Sequence, residues 1–224
     1  MGRVSVVRPP SPPTAVVFDC DGLLLETESC WTRAEEELFA RYGKFFLEEE
    51  KRALIGTSST AGSRILERLL EQPGRAVELS RELLELVEHR LLEEAVAFPG
   101  AAALVLETKA RYPIAVASNT PGWLLHGALA CAGMARHFEV VVAADDVAEP
   151  KPSPDVYLRA CELLGAEPSR SIALEDSPTG VAAARAAGMF VIGIPSFPGV
   201  ALDSADLVGE SLADRRVREA LGLD

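Results

Sequence analysis

Two carboxylates, Asp19 and Asp21, stand one residue apart at the end of the run Ala15-Val16-Val17-Phe18-Asp19-Cys20-Asp21-Gly22. Three more polar clusters follow apolar runs: Ser118-Asn119-Thr120, Glu149-Pro150-Lys151-Pro152 and Glu175-Asp176-Ser177. If these ends meet, the acids Asp19, Asp21, Glu175 and Asp176 repel one another. A hard divalent cation, Mg2+, together with Lys151 resolves that repulsion. The Ser118 hydroxyl and nearby backbone N–H groups add donors suited to phosphate. Taken singly, each cluster has a plainer reading. Ala15 to Gly22 reads as a strand running into an Asp-Gly turn, and Ser118 to Gly122 as a helix cap and turn. Lys151 reads as a solvated loop charge, and Glu175-Asp176 as acids at a helix start.

The elements that position these groups follow from periodicity. Ala15 to Phe18 reads as a buried strand. From Ser29 the pattern turns helical, with Trp31, Ala34, Leu38, Phe39 and Tyr42 at helix spacing and Gly43 as a C-cap. Further helices are expected over Leu47 to Ile55, stopped by Gly56, over a segment capped by Ser58, Ser59 or Thr60, and over Val77 to Val96. Beyond Gly100, strand and helix patterns alternate regularly. The expected fold class is α/β: a Rossmann-like parallel sheet with helices on both faces and an inserted all-helical cap. In such a sheet the C-terminal strand ends share one ligand-binding edge. Residues 15–28 and 98–224 form the expected core, and 29–97 the cap. Residues 1–14, with Pro9-Pro10-Ser11-Pro12-Pro13, form a stiff and poorly ordered arm. A hinge is expected at Leu23 to Glu28 and Ala97 to Gly100.

Composition narrows the classes. The 224 residues are 48% hydrophobic, enough for a packed core, and the net charge of −12 argues against a nucleic-acid partner. No apolar run reaches membrane-spanning length, and no leader-like apolar segment occurs near Met1. Cysteines 20, 30, 131 and 161 show no metal-ligand spacing, so a reduced, cytoplasmic protein is expected. Cys20 points away from its acidic neighbours along the strand, into the core.

On these residues the chain resembles the haloacid dehalogenase superfamily of hydrolases, in its phosphatase-type branch with a helical cap. The resemblance runs from Ala15 to about Leu221. It rests on four motifs in order: Asp19 to Gly22, Ser118, Lys151 before proline, and Glu175-Asp176. It implies that Asp19 is the nucleophile, forming an aspartyl-phosphate, and that Asp21 is the general acid and then the base. It implies Mg2+ held by Asp19, the Asp21 carbonyl, Asp176 and Glu175, the last directly or through water. Ser118 and the Asn119 N–H are implied to bind the phosphoryl group, with Lys151 neutralising charge.

Within the superfamily, Asp21 separates this chain from the dehalogenases, which lack that acid. β-Phosphoglucomutase-like members usually carry a histidine where Trp31 stands. They also carry an arginine after a Gly-x-Ser, where Gly56-Thr57-Ser58 is followed here by Ser59. The resemblance therefore favours a phosphatase for a small phosphorylated metabolite, of sugar-phosphate or nucleoside-monophosphate type, acting as a monomer or weak homodimer. A mutase is the alternative, and a non-catalytic phosphometabolite-binding protein the alternative from another class. Trp31 has two readings, cleft and cap core. Lys44, Arg52 and Arg64 have two readings, substrate contacts and, the favoured one, solvated cations, and His89, His126 and His137 carry no catalytic role.

Overall fold

The computed structural model describes residues 8–54, 57, 59–197 and 199–224. Strand β1 (Val16–Phe18) leads into β2 (Leu25–Glu26), the helices α1 (Glu28–Arg41), α2 (Glu48–Leu54), α3 (Ser59–Leu69) and α4 (Ala76–Glu94), and then β3 (Val96–Ala97). The chain then alternates through α5 (Ala101–Lys109), β4 (Ile114–Ala117), α6 (Gly122–Cys131), β5 (Val140–Val142) and α7 (Asp155–Leu164). It ends with β6 (Ile172–Glu175), α8 (Pro178–Ala186), β7 (Phe190–Gly193), β8 (Leu207–Val208) and α9 (Arg215–Ala220).

The main sheet has six parallel strands in the order β5-β4-β1-β6-β7-β8. The chain moves outward from β1 through β4 and β5, then returns to its other side with β6. The crevice at the end of β1 is therefore where the strand order reverses, the place such sheets bind ligands.

Alternation along β1 divides the core. Val16, Phe18 and Cys20 join one apolar cluster, while Val17 joins the other with Ala115, Ala173, Val156 and Tyr157. Cys20 is thus buried in the core as its spacing requires, and burial beside Asp21 and Asp19 pushes its thiol pKa well up. All four cysteines are free.

The helical insert α1–α4 buries Leu38, Phe39, Leu79, Val87 and Leu91 in a cluster continuous with one face of the sheet. Its last helix stops at Glu94, sooner than the apolar periodicity indicates. Ala95 is extended, and Val96–Ala97 pairs antiparallel with Leu25–Glu26. The segments entering and leaving the insert thus run side by side, joined also by Phe98 N–H donating to Leu24 O at 2.9 Å. A two-residue strand is too short to show a period. Capping side chains expected at Ser58, Ser59 and Thr60, the stop at Gly56 and the first part of the arm, residues 1–7, lie outside what the structure describes. Thr14 at the arm's end is fastened, its N–H donating to Arg170 O at 2.8 Å. Among the described residues, no helix is long and apolar enough to cross a membrane.

Candidate active site

The ends of β1, β4 and β6 and the loop after β5 bring all seven sequence-singled residues to one edge. Asp19 is fixed first: its N–H donates to Leu174 O at 3.0 Å, continuing the β1–β6 ladder one residue past the strand. Its Oδ1 accepts from the Lys151 ammonium at 2.5 Å. Lys151 is buried and also donates to Glu175 Oε1 at 2.6 Å and Ala117 O at 2.9 Å. It is no solvated loop charge. Asn119 clamps its backbone, with Oδ1 accepting from Lys151 N–H at 2.8 Å and Nδ2 donating to Lys151 O at 3.1 Å. The Asn119 side chain thus positions the lysine.

Glu175 is fully buried and its carboxylate is committed on both sides. Oε1 accepts from Lys151 and from the Tyr157 hydroxyl at 2.5 Å. Oε2 accepts from Asp176 N–H and the Ser177 hydroxyl, each at 3.2 Å. On its Gly180 side this carboxylate is closely packed, since a Cβ on Gly180 would overlap it. The N-cap of α8 is Ser177, whose Oγ accepts from Gly180 N–H at 3.0 Å. Glu175 and Asp176 are thereby released from the capping reading. Gly22, at φ 83°, lies so close to Asp176 that a Cβ would strike its carboxylate.

Asp21 stands apart from this charge cluster. Thr27 Oγ1 donates to its Oδ1 at 2.9 Å, and Ser118 and Thr120 hydroxyls donate to its Oδ2 at 3.0 and 2.8 Å. Ser118 Oγ also accepts from Thr120 N–H at 3.0 Å. Asp145 and Asp146 hold loops instead, accepting from Gly122 N–H and Ala143 N–H.

Charge balance at the edge is uneven. Burial lowers the Lys151 pKa, but Asp19 and Glu175 outweigh it and hold the ammonium protonated. Burial raises the Asp19 pKa well above the carboxylate range, with Glu175 and Asp176 adding to it against Lys151. Asp176 is raised likewise, by burial and then by Glu175. Oxygens of Asp19, Glu175 and Asp176 lie within 4.8 Å of one another, and Asp19 Oδ2 is buried without a hydrogen-bond partner. An all-oxygen set with a free carboxylate oxygen and excess negative charge fits a hard divalent cation.

These residues floor a cavity of about 190 Å³, roofed by Glu28, Trp31, Glu35, Leu66 and Leu84 of the insert. Trp31 serves both readings, lining the cavity and packing on the core cluster. Lys44 and Arg52 pair with Glu71 and Glu48, and Arg64 is exposed. Among the described residues, no histidine lines the cavity. Thr27, Thr120, Tyr157, Glu28 and Glu35 escape a reading by motif. Thr120 had a signal, since it follows Ser118 by two and shares its side of the strand exit.

A parallel sheet that gathers three buried acids, able to hold a metal ion, and a buried lysine at its reversal point, under a helical roof, has the architecture of a hydrolase class. The haloacid dehalogenase-like hydrolase family profile matches residues 13–188, and the chain belongs to that family. It is 31% identical over 182 residues to the fructose-1-phosphate phosphatase YqaB of Escherichia coli, covering 80% of this chain and 95% of that protein. The crystal structure of CbbY from Rhodobacter sphaeroides with phosphate superposes with a TM-score of 0.80 at 32% identity, covering 94% of this chain and 99% of that one. A CbbY mutant in complex with xylulose-(1,5)bisphosphate gives a TM-score of 0.77 at 33% identity, over 90% of this chain and 95% of that chain.

Proposed function

We propose that this protein is a Mg2+-dependent phosphatase of small phosphomonoesters, of the sugar-phosphate kind, acting through an aspartyl-phosphate. The observation that carries the reading is Asp19 itself. One of its oxygens is held by Lys151, the other is buried and unpartnered, and the carboxylate groups with those of Glu175 and Asp176. The relatives named above, a sugar-phosphate phosphatase among them, support the substrate class.

Asp19, the Asp21 carbonyl and Asp176 would hold the cation, with Glu175 doing so directly or through water, and the cation when bound supplies charge neutralisation for the phosphoryl group. Asp19 attacks phosphorus, forming an oxygen–phosphorus bond as the bond to the leaving alcohol breaks. Asp21, protonated, gives its proton to that leaving oxygen. As carboxylate it then takes a proton from a water whose oxygen attacks phosphorus. The bond to Asp19 breaks and inorganic phosphate leaves. The hydroxyls of Thr27, Ser118 and Thr120 both donate and accept, so one cradle serves Asp21 in either protonation state. The insert acts as a cap that excludes bulk water.

The test is phosphate release from a panel of sugar phosphates and an aryl phosphate with Mg2+ present. Activity in the wild type and its loss in Asp19→Asn are expected. Inactivity across the panel, or isomerisation of a sugar phosphate without phosphate release, overturns the reading.

A further inference from the structure

The roof of the cavity is chemically lopsided. Its floor holds the cation-assisted machinery, whereas the insert contributes Trp31, Leu54, Leu66, Leu83 and Leu84 as apolar surface, with the carboxyls of Glu28 and Glu35. Lys151 is the one basic side chain among the described residues lining the cavity, and it is already shared by Asp19 and Glu175. Lys51 on α2 reaches a lining carboxyl without itself lining the cavity. Its ammonium lies 3.9 Å from Glu28 and 6.0 Å above the Phe197 ring.

Glu35 lies in this roof. It is 8% exposed, sits on the inner face of α1 and has no hydrogen-bond partner among the described residues. Such a carboxyl is costly to bury unless something in the cavity engages it.

We propose that the insert's half of the cavity takes the uncharged, hydroxylated body of a monophosphate, that it rejects a second anionic group, and that Glu35 reads the body's hydroxyls. The inference rests on the phosphatase reading above and names the substrate class within it. A second phosphate lodged under the roof meets two carboxyls and no available cation, so its burial is uncompensated. A polyol meets hydrogen-bonding carboxyls and flat apolar surface, which suits its hydroxyls and its C–H faces.

Protonation sharpens the assignment. Burial, then Glu28, push the Glu35 carboxyl up to about 8, against the pull of Lys51, with Glu36 adding a little. The charged groups that α4 presents to α1 are engaged elsewhere: Arg90 with Glu37, Glu94 with Arg33, Glu82 with Tyr42. At neutral pH Glu35 is therefore a neutral acid that donates to a hydroxyl as well as accepting from one.

Binding and turnover test this separately. Calorimetry on Asp19→Asn protein with Mg2+ compares fructose-1-phosphate, the named substrate of a relative, with the fructose bisphosphate that carries a second phosphate at its far end. The monophosphate is expected to bind about a hundredfold tighter. Adding Ser80→Arg, at a partly buried position on α4 lining the same cavity, is expected to narrow that gap at least about tenfold. Equal or tighter binding of the bisphosphate without the arginine overturns the inference, as does failure of every sugar monophosphate to bind. For Glu35, KM for the monophosphate is expected to rise several-fold above about pH 8 as the carboxylate forms, with kcat little changed. That limb is expected to vanish in Glu35→Gln, and its persistence there overturns the role of Glu35. Failure of the phosphatase reading looks different: no phosphate is released from any ester while the binding preference stands.

Discussion

The Tyr157 hydroxyl donates a 2.5 Å hydrogen bond to Glu175 Oε1, the oxygen that also receives the Lys151 ammonium. A residue on α7 and the last residue of β6 thereby fix a lysine from the loop between β5 and α7. Removing the hydroxyl leaves a buried carboxylate short of one donor. Tyr157→Phe is expected to cost about 1.5–3 kcal/mol of stability, the usual range for a hydrogen bond to a charged group. It should also lower kcat several-fold with KM nearly unchanged. Denaturant unfolding and steady-state kinetics on one preparation check both, and a variant with wild-type stability would show that Lys151, Asp176 N–H and Ser177 suffice to hold Glu175.

Thr27 and Thr120 grip opposite oxygens of Asp21. General acid–base catalysis by a positioned group contributes about 10²–10⁴-fold, so Asp21→Asn should lose activity on that scale. Thr27→Val and Thr120→Val keep the carboxyl and remove one guide each. A drop of about tenfold in kcat is expected for either, with a double-variant loss well short of Asp21→Asn. Wild-type kcat in both single variants would remove the threonines from the mechanism.

Asp19, Glu175 and Asp176 repel one another in a buried setting, so a cation bound to the native state alone raises stability by mass action. Mg2+ is expected to raise the melting temperature of the wild type. That increment should shrink in Asp176→Asn, where one ligand charge is gone. Chelator should abolish phosphate release, and added Mg2+ should restore it. A melting temperature indifferent to Mg2+ in the wild type would count against the metal site.

The legible part of this molecule is the part governed by period and order. Val16 to Phe18, Ile114 to Ala117 and Ile172 to Leu174 are apolar runs whose exits carry Asp19, Ser118 and Glu175. The parallel rule sends all three exits to one edge. Lys151 was legible as a partner of those acids, though its burial was not, because that depends on Asn119 reaching across 32 positions to hold its backbone. Thr27 and Tyr157 were silent for the same reason: each is an ordinary residue of its element until the fold brings it to a carboxylate. The β2–β3 ribbon was hidden by its brevity. Glu35 was hidden by helical amphipathicity, since an acid amid Ala34, Glu36 and Glu37 reads as part of a solvated face.

Glu35 also sets a dependence of stability on pH. Its carboxyl is raised in the folded protein from 4.5 to about 8, chiefly by burial. The folded state therefore holds a proton that the unfolded state gives up between those two values. Stability from this group is complete below about 4.5 and is lost as pH rises through about 8. One proton corresponds to about 1.4 kcal/mol per pH unit, and Lys51 moderates the burial, so a net loss of about 1–3 kcal/mol over the window is expected. Burial also raises Glu28, so its contribution has the same sign. Glu35→Gln removes the larger of the two titrations. Urea unfolding at mildly acidic and mildly alkaline pH should show wild-type stability falling more steeply than that of Glu35→Gln. The variant should gain on the wild type at the alkaline end. Parallel pH dependences in the two proteins would mean that Glu35 ionises in the fold as it does in the unfolded chain.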